Sequence, residues 1–424
     1  MNIEIKDAYA LIDGKIERHS IYIEKDTITG VDKEPKGFKA EKTIDGSDRL
    51  VIPGLVNAHT HSYMASLRNI ADDMPFMDWL LKGVDPVEQR MTGEDAYWGA
   101  MLAIAEMIRC GTTTFNDMQM HIHNTTRAVK ETGMRAVICR GLVGDKYDRE
   151  DRRIKEALEE LTDGEGTNGR LTFRLGPHAP YSAGFDYLRG VVDIARERGL
   201  GIHIHLAESA TEVENLKKDQ GLTPIEYADK AGCFDVPCIA AHCVKVTPSD
   251  IALMARKNVS VVTNPASNMK LGNGFAPVPE MIEAGINVCL GTDGAASNNS
   301  LNMFHEMSLL TLIHKGTHDT PVCIGAGEAM EIATVNGARA LGLEKVGAIK
   351  TGYKADLAIL DINTPSMVPR NNMLSSLTYS ANGSEVDTTI VDGEILMEGR
   401  ELKTIDLEKV LFEANAMMDR LNGK

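Results

Sequence analysis

Eight times along this chain an apolar, strand-like run ends in a polar residue able to bind a metal, accept a proton or hold a small molecule. The runs are VIPGLVNAHTH (51–61), TTTFND (112–117), RAVICRG (135–141), LTFRLGPH (171–178), GIHIHLAE (201–208), CIAAHC (238–243), VSVVTNPASN (259–268) and NVCLGTD (287–293). Between them lie segments of helical pattern, among them 95–111, 186–199, 248–258 and 277–285. Alternation of this kind argues for βα units on a parallel sheet. Eight such units fit a (β/α)8 barrel of the TIM type, in which every strand ends on one face and that face carries the chemistry. Polar residues far apart in the sequence are therefore expected to converge.

The chain ends have a different texture. Residues 1–53 alternate polar and apolar over short distances, with Asp13-Gly14 as a hairpin signal, and the same texture returns at 355–362 and 388–399, turning at Asp392-Gly393. The expected α/β architecture is a barrel at 54–346 with a small β-sandwich domain built from both chain termini, 1–53 and 347–424. An amphipathic helix at 406–423 closes the second part.

Composition narrows the function classes. With 43% hydrophobic and 25% charged residues in 424, the chain reads as a soluble globular protein large enough for a barrel and a smaller unit. No apolar run reaches the length of a membrane span, and the start MNIEIKDAYA lacks the basic-then-apolar form of a secretory signal. The seven cysteines are odd in number and lie mostly inside apolar runs, as expected of buried thiols in a reducing cytoplasm. A formal charge of −16 repels phosphate backbones and argues against a nucleic-acid partner. Homo-oligomerisation is left open.

His59 and His61 end the first run two residues apart, so on a strand both point to one side. An HxH pair alone is weak, and the chain has two more. His121 and His123 fall beyond the second strand and read as ordinary loop or helix-start histidines. Of His203 and His205, the latter is nearer the strand end and is taken as the ligand, with His203 packed deeper. Asp293 ends the eighth run; alone it could be a helix cap. Together, three imidazoles and one carboxylate form a mixed N/O set suited to one divalent metal, zinc above others.

PGLVNAHTH, HLAES, AHC and GTDG, in this order at strand ends, resemble the amidohydrolase superfamily. GPHAPYS (176–182), NPASNMKLGNGFAPV (264–278) and GTDGAASNNSLNMFHEM (291–307) narrow the resemblance to the 5-methylthioadenosine/S-adenosylhomocysteine deaminase family. The resemblance implies a metal-dependent aminohydrolase that replaces the C6 amino group of an adenosine-type nucleoside with oxygen. Dinuclear relatives need a bridging ligand on the fourth strand, commonly a modified lysine; GPH offers none, so one metal is expected. A zinc ion on His59, His61, His205 and Asp293 would lower the pKa of a bound water to about 7, with Asp293 both ligand and base. The resemblance makes Glu208 the proton shuttle to the ring nitrogen, against the bland reading of a loop glutamate, and His242 the residue that orients the water or steadies the tetrahedral intermediate. It sets His178 near the purine N3 and ribose, and Glu88 on the ribose hydroxyls, where its bland alternative is a helix-start glutamate. Arg140, with Arg152 or Arg153, would face the 5′ substituent. Trp79 packs on the nucleoside or is simply buried.

Two alternatives stand beside this one. The same barrel and metal would serve a deaminase of a free base or an s-triazine, against which Glu88 argues. A non-catalytic barrel paralogue acting as a binding protein would be expected to have lost metal ligands, and here all are present.

Overall fold

The computed structural model describes residues 1–423. Strands from both chain ends join in one nine-stranded sheet. Its order runs Glu401–Leu402, Glu394–Glu398, Val386–Val391, Leu357–Asp361, Arg49–Pro53, Asn2–Ile12, Lys15–Glu24, Thr27–Val31, and Lys42–Asp45 pairs with Asn2–Ile12 away from this path. The register of Asn2–Ile12 shifts between Ile5 and Ala8, so its first half pairs with Lys42–Asp45 and its second with Arg49–Pro53, both in parallel. Both hairpin signals are turns of left-handed residues, Asp13 (φ 48°) with Gly14 (φ 75°) and Asp392 (φ 53°) with Gly393 (φ 73°). That is the backbone a two-residue hairpin loop requires.

The intervening strands form two parallel sheets whose neighbours follow chain order. The first holds Leu55–Thr60, Thr112–Gln119, Arg135–Leu142 and the pair Leu171–Phe173 and Gly176–Pro177. The second holds Ile202–Leu206, Cys238–His242, Ser260–Thr263 and Val288–Leu290. A parallel bridge links Leu175 to Ile202 on one side. On the other, the amides of Thr292 and Asp293 donate to the His59 carbonyl at 3.1 and 3.0 Å. The strands are buried on both faces, as sheets covered by crossover helices are.

Two of the eight runs are broken. The first divides at Gly54, whose amide donates to Asp356 in the terminal sheet at 2.9 Å while Thr113 occupies the space a Cβ would need. Arg49–Pro53 thus stays with the terminal sheet and Leu55–Thr60 enters the parallel one. The fourth run divides at Arg174, whose guanidinium turns aside to donate to the Ala340 carbonyl at 2.6 Å.

Helices fill the connections at the expected places: Gly93–Arg109, Phe185–Arg198, Pro248–Arg256, Val278–Glu283 and, at the end, Leu407–Leu421. Thr92 with Asp95 and Thr247 with Asp250 make capping boxes that satisfy the free amides of the first turns. Gly199 ends its helix in the left-handed conformation (φ 65°). All seven cysteines are free, and no helix among the described residues is long and apolar enough to cross a membrane.

Candidate active site

Strand ends deliver the cluster. His59 and His61 leave the first parallel strand, His205 the fifth, His242 the sixth, and Asp293 follows the eighth. All five are buried. Ala207 (φ 51°), His242 (φ 72°), Cys243 (φ 49°) and Asp293 (φ 60°) sit in the left-handed region, which costs about 1–3 kcal/mol each in a non-glycine residue. Four such residues at the ends of the fifth, sixth and eighth strands mark a place where the surrounding structure holds the backbone against its preference.

Hydrogen bonds determine how the imidazoles face. His61 Nδ1 lies 2.7 Å from the Met118 carbonyl and His205 Nδ1 2.8 Å from the His178 carbonyl. A carbonyl only accepts, so each Nδ1 carries the proton and each Nε2 of the neutral ring is a bare lone pair. Those two Nε2 atoms face each other at 3.3 Å. Asp293 Oδ1 lies 3.3 Å from His59 Nε2 and 3.4 Å from His61 Nε2. His59 Nε2 is buried without a hydrogen-bond partner, while its Nδ1 meets His203 Nε2 at 2.9 Å. Lone pairs and a carboxylate gathered at such distances repel one another unless a positive centre lies among them. The donor set, three imidazoles and a carboxylate, suits a divalent cation of the zinc type. The backing of each ring by a carbonyl or another ring is the support that metal-binding histidines have.

Electrostatics agree with that reading. Burial, reinforced by neighbouring imidazoles, pushes His205 and His203 well below the ordinary histidine range, and burial brings His59 down to about 4 despite the opposing pull of Asp293. Neutral imidazole is the form that binds metal. Burial alone would raise the Asp293 carboxyl, but the imidazoles of His59, His242 and His61 around it hold it well below the usual range. Its other oxygen accepts from Ser267 Oγ at 2.6 Å and Ser297 Oγ at 2.9 Å.

Glu208 is of opposite character. Burial, and then the charge of Asp293, push its carboxyl well above the usual range. Asn273 Nδ2 donates to its Oε1 at 3.2 Å, and its Oε2 faces His242 Nε2 at 3.8 Å. His242 Nδ1 is held 2.8 Å from Asn268 Oδ1. His178 stands beside His205, ring centroids 4.8 Å apart, its Nδ1 2.8 Å from Ser182 Oγ. Burial lowers it to about 4. Glu88, raised by burial, accepts a hydrogen bond from the Tyr63 hydroxyl. The group therefore gathers His59, His61, His205, Asp293, Glu208, His242 and His178, with Glu88 reaching it through Tyr63.

Three other residues singled out in the sequence stand apart from the histidines. Arg140 pairs with Glu156 at 3.0 Å and with Glu160. Arg152, at the start of helix Arg152–Glu159, pairs with the same Glu156 at 2.9 Å and is 79% exposed. Trp79 is buried, and its Nε1 donates to the Ala296 carbonyl at 3.1 Å, just past Asp293.

Several residues of the site carry no mark that the sequence reading used. Tyr63 lies past the end of the first parallel strand, on the helical turn Ser62–Leu67. Glu212 accepts from the amides of Ala207 (3.0 Å) and Glu208 (2.8 Å) and so clamps the loop bearing Glu208. Its spacing from Ser209 is that of a capping box, a signal available in the sequence. Asn268 and Asn273 lie in the NPASNMKLGNG run but only the fold brings them to His242 and Glu208.

A fold of two chain-ordered parallel sheets, strand ends meeting in a His/His/His/Asp cluster and a terminal sheet on both sides of it in sequence defines a class. The model of the amidohydrolase family matches residues 50–396, and the chain belongs to that family. Within it, the chain is 44% identical over 99% of its length, and 99% of the relative's, to a 5-methylthioadenosine/S-adenosylhomocysteine deaminase of Caldanaerobacter subterraneus subsp. tengcongensis. It is 49% identical to the protein of the same name from Acetivibrio thermocellus, over 91% of this chain and 90% of that one. Among solved structures, an adenosine deaminase from Xanthomonas campestris with bound zinc superposes with a TM-score of 0.95 at 30% identity, covering 100% of this chain and 99% of the other.

Proposed function

We propose that this chain removes the 6-amino group of adenosine-type nucleosides by hydrolysis, 5-methylthioadenosine and S-adenosylhomocysteine among them, giving the inosine analogue and ammonia. The observation that carries the reading is the meeting, in one buried group, of an acceptor cluster fit for a cation with a carboxyl group held protonated, Glu208. The names of relatives aligned over nearly the whole chain support the substrate class. The zinc of the Xanthomonas structure supports one zinc ion here. In this reading the two parallel sheets are halves of one (β/α)8 barrel over 54–346. The terminal sheet from 1–53 and 347–424 folds over its own apolar core, which includes Ile3, Ile21, Leu357 and Ile390, as a small β-sandwich.

His59, His61, His205 and Asp293 would hold the cation, which lowers the pKa of a coordinated water far enough to supply a nucleophile near neutral pH. Asp293, kept ionised, accepts a proton from the attacking water. Glu208, kept protonated, would donate to purine N1 as the water oxygen bonds to C6; the C6–N bond then breaks as the proton held by Asp293 passes to the leaving amine and the C6 hydroxyl returns a proton to Glu208. His242, oriented through Asn268, faces that oxygen and hydrogen-bonds it as charge develops. His178 holds the nucleoside from the fourth strand, Glu88 takes the ribose hydroxyls, and Trp79 packs against the nucleoside. Arg140 and Arg152, joined through Glu156, are left to the 5′ substituent, whose carboxylate in S-adenosylhomocysteine would compete with Glu156 for them.

Ammonia release from adenosine, 5′-deoxyadenosine, 5′-methylthioadenosine, S-adenosylhomocysteine, guanine and cytosine tests the proposal. Release from the adenosine series and none from the two bases is expected. Release from guanine or cytosine alone would overturn it.

A further inference from the structure

Tyr63 is the one polar side chain bonded to Glu88 among the described residues, and everything around it serves to keep it there. Its ring is buried with Trp79, Met91, Ala96 and Leu271 in an apolar cluster of its own, separate from the main core. The short helical turn Ser62–Leu67 that carries it runs against helix Gly93–Arg109 at Gly99, where an added Cβ would lie 2.9 Å from the Tyr63 Cα. Backbone contact that close allows the ring little movement. The Tyr63 hydroxyl meets Glu88 Oε1, and since a carboxylate oxygen only accepts, the phenol is the donor. Glu88 comes from a separate piece of chain, the segment Phe76–Glu88, in which the wide turn Trp79–Val84 departs from α-helical winding. Such turns recur at functional sites, where they re-aim side chains.

From this geometry, and resting on the ribose role of Glu88 proposed above, we infer that Tyr63 is a specificity-determining positioning residue. It ties Glu88 Oε1 to the first strand's loop, so that the remaining acceptor capacity of the carboxylate is aimed at a vicinal diol. A free carboxylate on a short helix samples several rotamers and pays an ordering cost on each binding event. One fixed by a buried donor does not.

The test compares adenosine with its 2′,3′-dideoxy counterpart in the metal-loaded wild type, Tyr63→Phe and Glu88→Gln. Tyr63→Phe keeps the buried ring and removes one hydrogen bond to a charged group, an interaction whose loss corresponds to about tenfold or more. The expected result is an about tenfold rise in KM for adenosine, kcat little changed, the dideoxynucleoside unaffected, and metal content equal to wild type. An equal effect on both nucleosides, or on neither, would overturn the inference. If Glu88→Gln also fails to discriminate the pair, the ribose reading falls and this inference with it. If Glu88→Gln discriminates and Tyr63→Phe does not, only the inference falls.

Discussion

In the proposed reaction Glu208 carries the heaviest chemical demand of any side chain in the site, because it must be protonated at a pH where most glutamates are not. Burial supplies that condition, and the neighbouring Asp293 charge adds to it. Two anions in one dry cavity are unfavourable, so the groups divide the roles: Asp293, faced by imidazoles, ionises, and Glu208, where burial outweighs the single donor Asn273, keeps its proton. Glu208→Gln preserves the size of the side chain but has no proton to transfer. Turnover should fall by about 10²–10⁴, the usual worth of general acid catalysis, with metal content unchanged by elemental analysis. A Gln variant that turns over like wild type would remove Glu208 from the proposed mechanism. The role of His203 follows from the same layering. Two positions before His205, it shares that residue's side of the strand but lies one layer deeper, where Asn116 and His59 take its two nitrogens.

At the scale of elements, strand ends could be read because the two-residue period of a strand fixes which side chains share a face. His59 with His61, and His203 with His205, follow from it directly. The same rule explains Arg140. Cys139 points inward, its Sγ 3.6 Å from His203 Nδ1, so the next residue points outward, toward Glu156 and Glu160. An apolar run gives a residue's place along a strand, but only strict alternation gives its side, and RAVICRG does not alternate. The break at Gly54 was invisible for a related reason: both halves of VIPGLVNAHTH are apolar, and it is the Asp356 carbonyl, some 300 residues away by numbering, that claims the Gly54 amide. Tyr63, Asn273 and Asn268 belong to the same category, made functional by contacts between distant segments. The element contact between Ser62–Leu67 and Gly93–Arg109 is itself open to test. Gly99→Ala gains helix propensity of about 1 kcal/mol but drives a methyl into the Tyr63 backbone, an overpacking that costs about 1–3 kcal/mol. The net expectation is a lower denaturation midpoint, accompanied by weaker discrimination for the nucleoside diol; a midpoint at or above wild type would show that the turn gives way without cost.

Across the whole molecule, one buried ionic network ties the chain ends to the parallel sheets. Arg135, at the start of the third parallel strand, donates through Nε to Asp356 at 2.6 Å and through Nη2 to Asp392 at 2.9 Å. Lys354 extends the network to Asp392 at 3.1 Å and to Asp26 at 2.6 Å. Burial would depress the Arg135 guanidinium, but the two carboxylates outweigh it and hold it above its already high value, so it is charged at every relevant pH. The three terminal-sheet anions come from both ends of the sequence, Asp26 from the first part and Asp356 and Asp392 from the second. Arg135 thus holds the second part directly and reaches the first through Lys354. An ion pair of this kind adds little net stability compared with an apolar contact of the same shape, yet removing one partner strands the others. Arg135→Ala would leave Asp356 and Asp392 buried with Lys354 alone to balance them, and should cost about 3–5 kcal/mol, read as a drop in the urea midpoint. Arg135 begins its strand five residues before Arg140, at the end remote from the histidine cluster. The fraction still folded should therefore keep wild-type kcat. A loss of kcat in a variant that remained fully folded would mean that the terminal sheet reaches the site through the third strand, and that the two parts of the molecule are not separable in function.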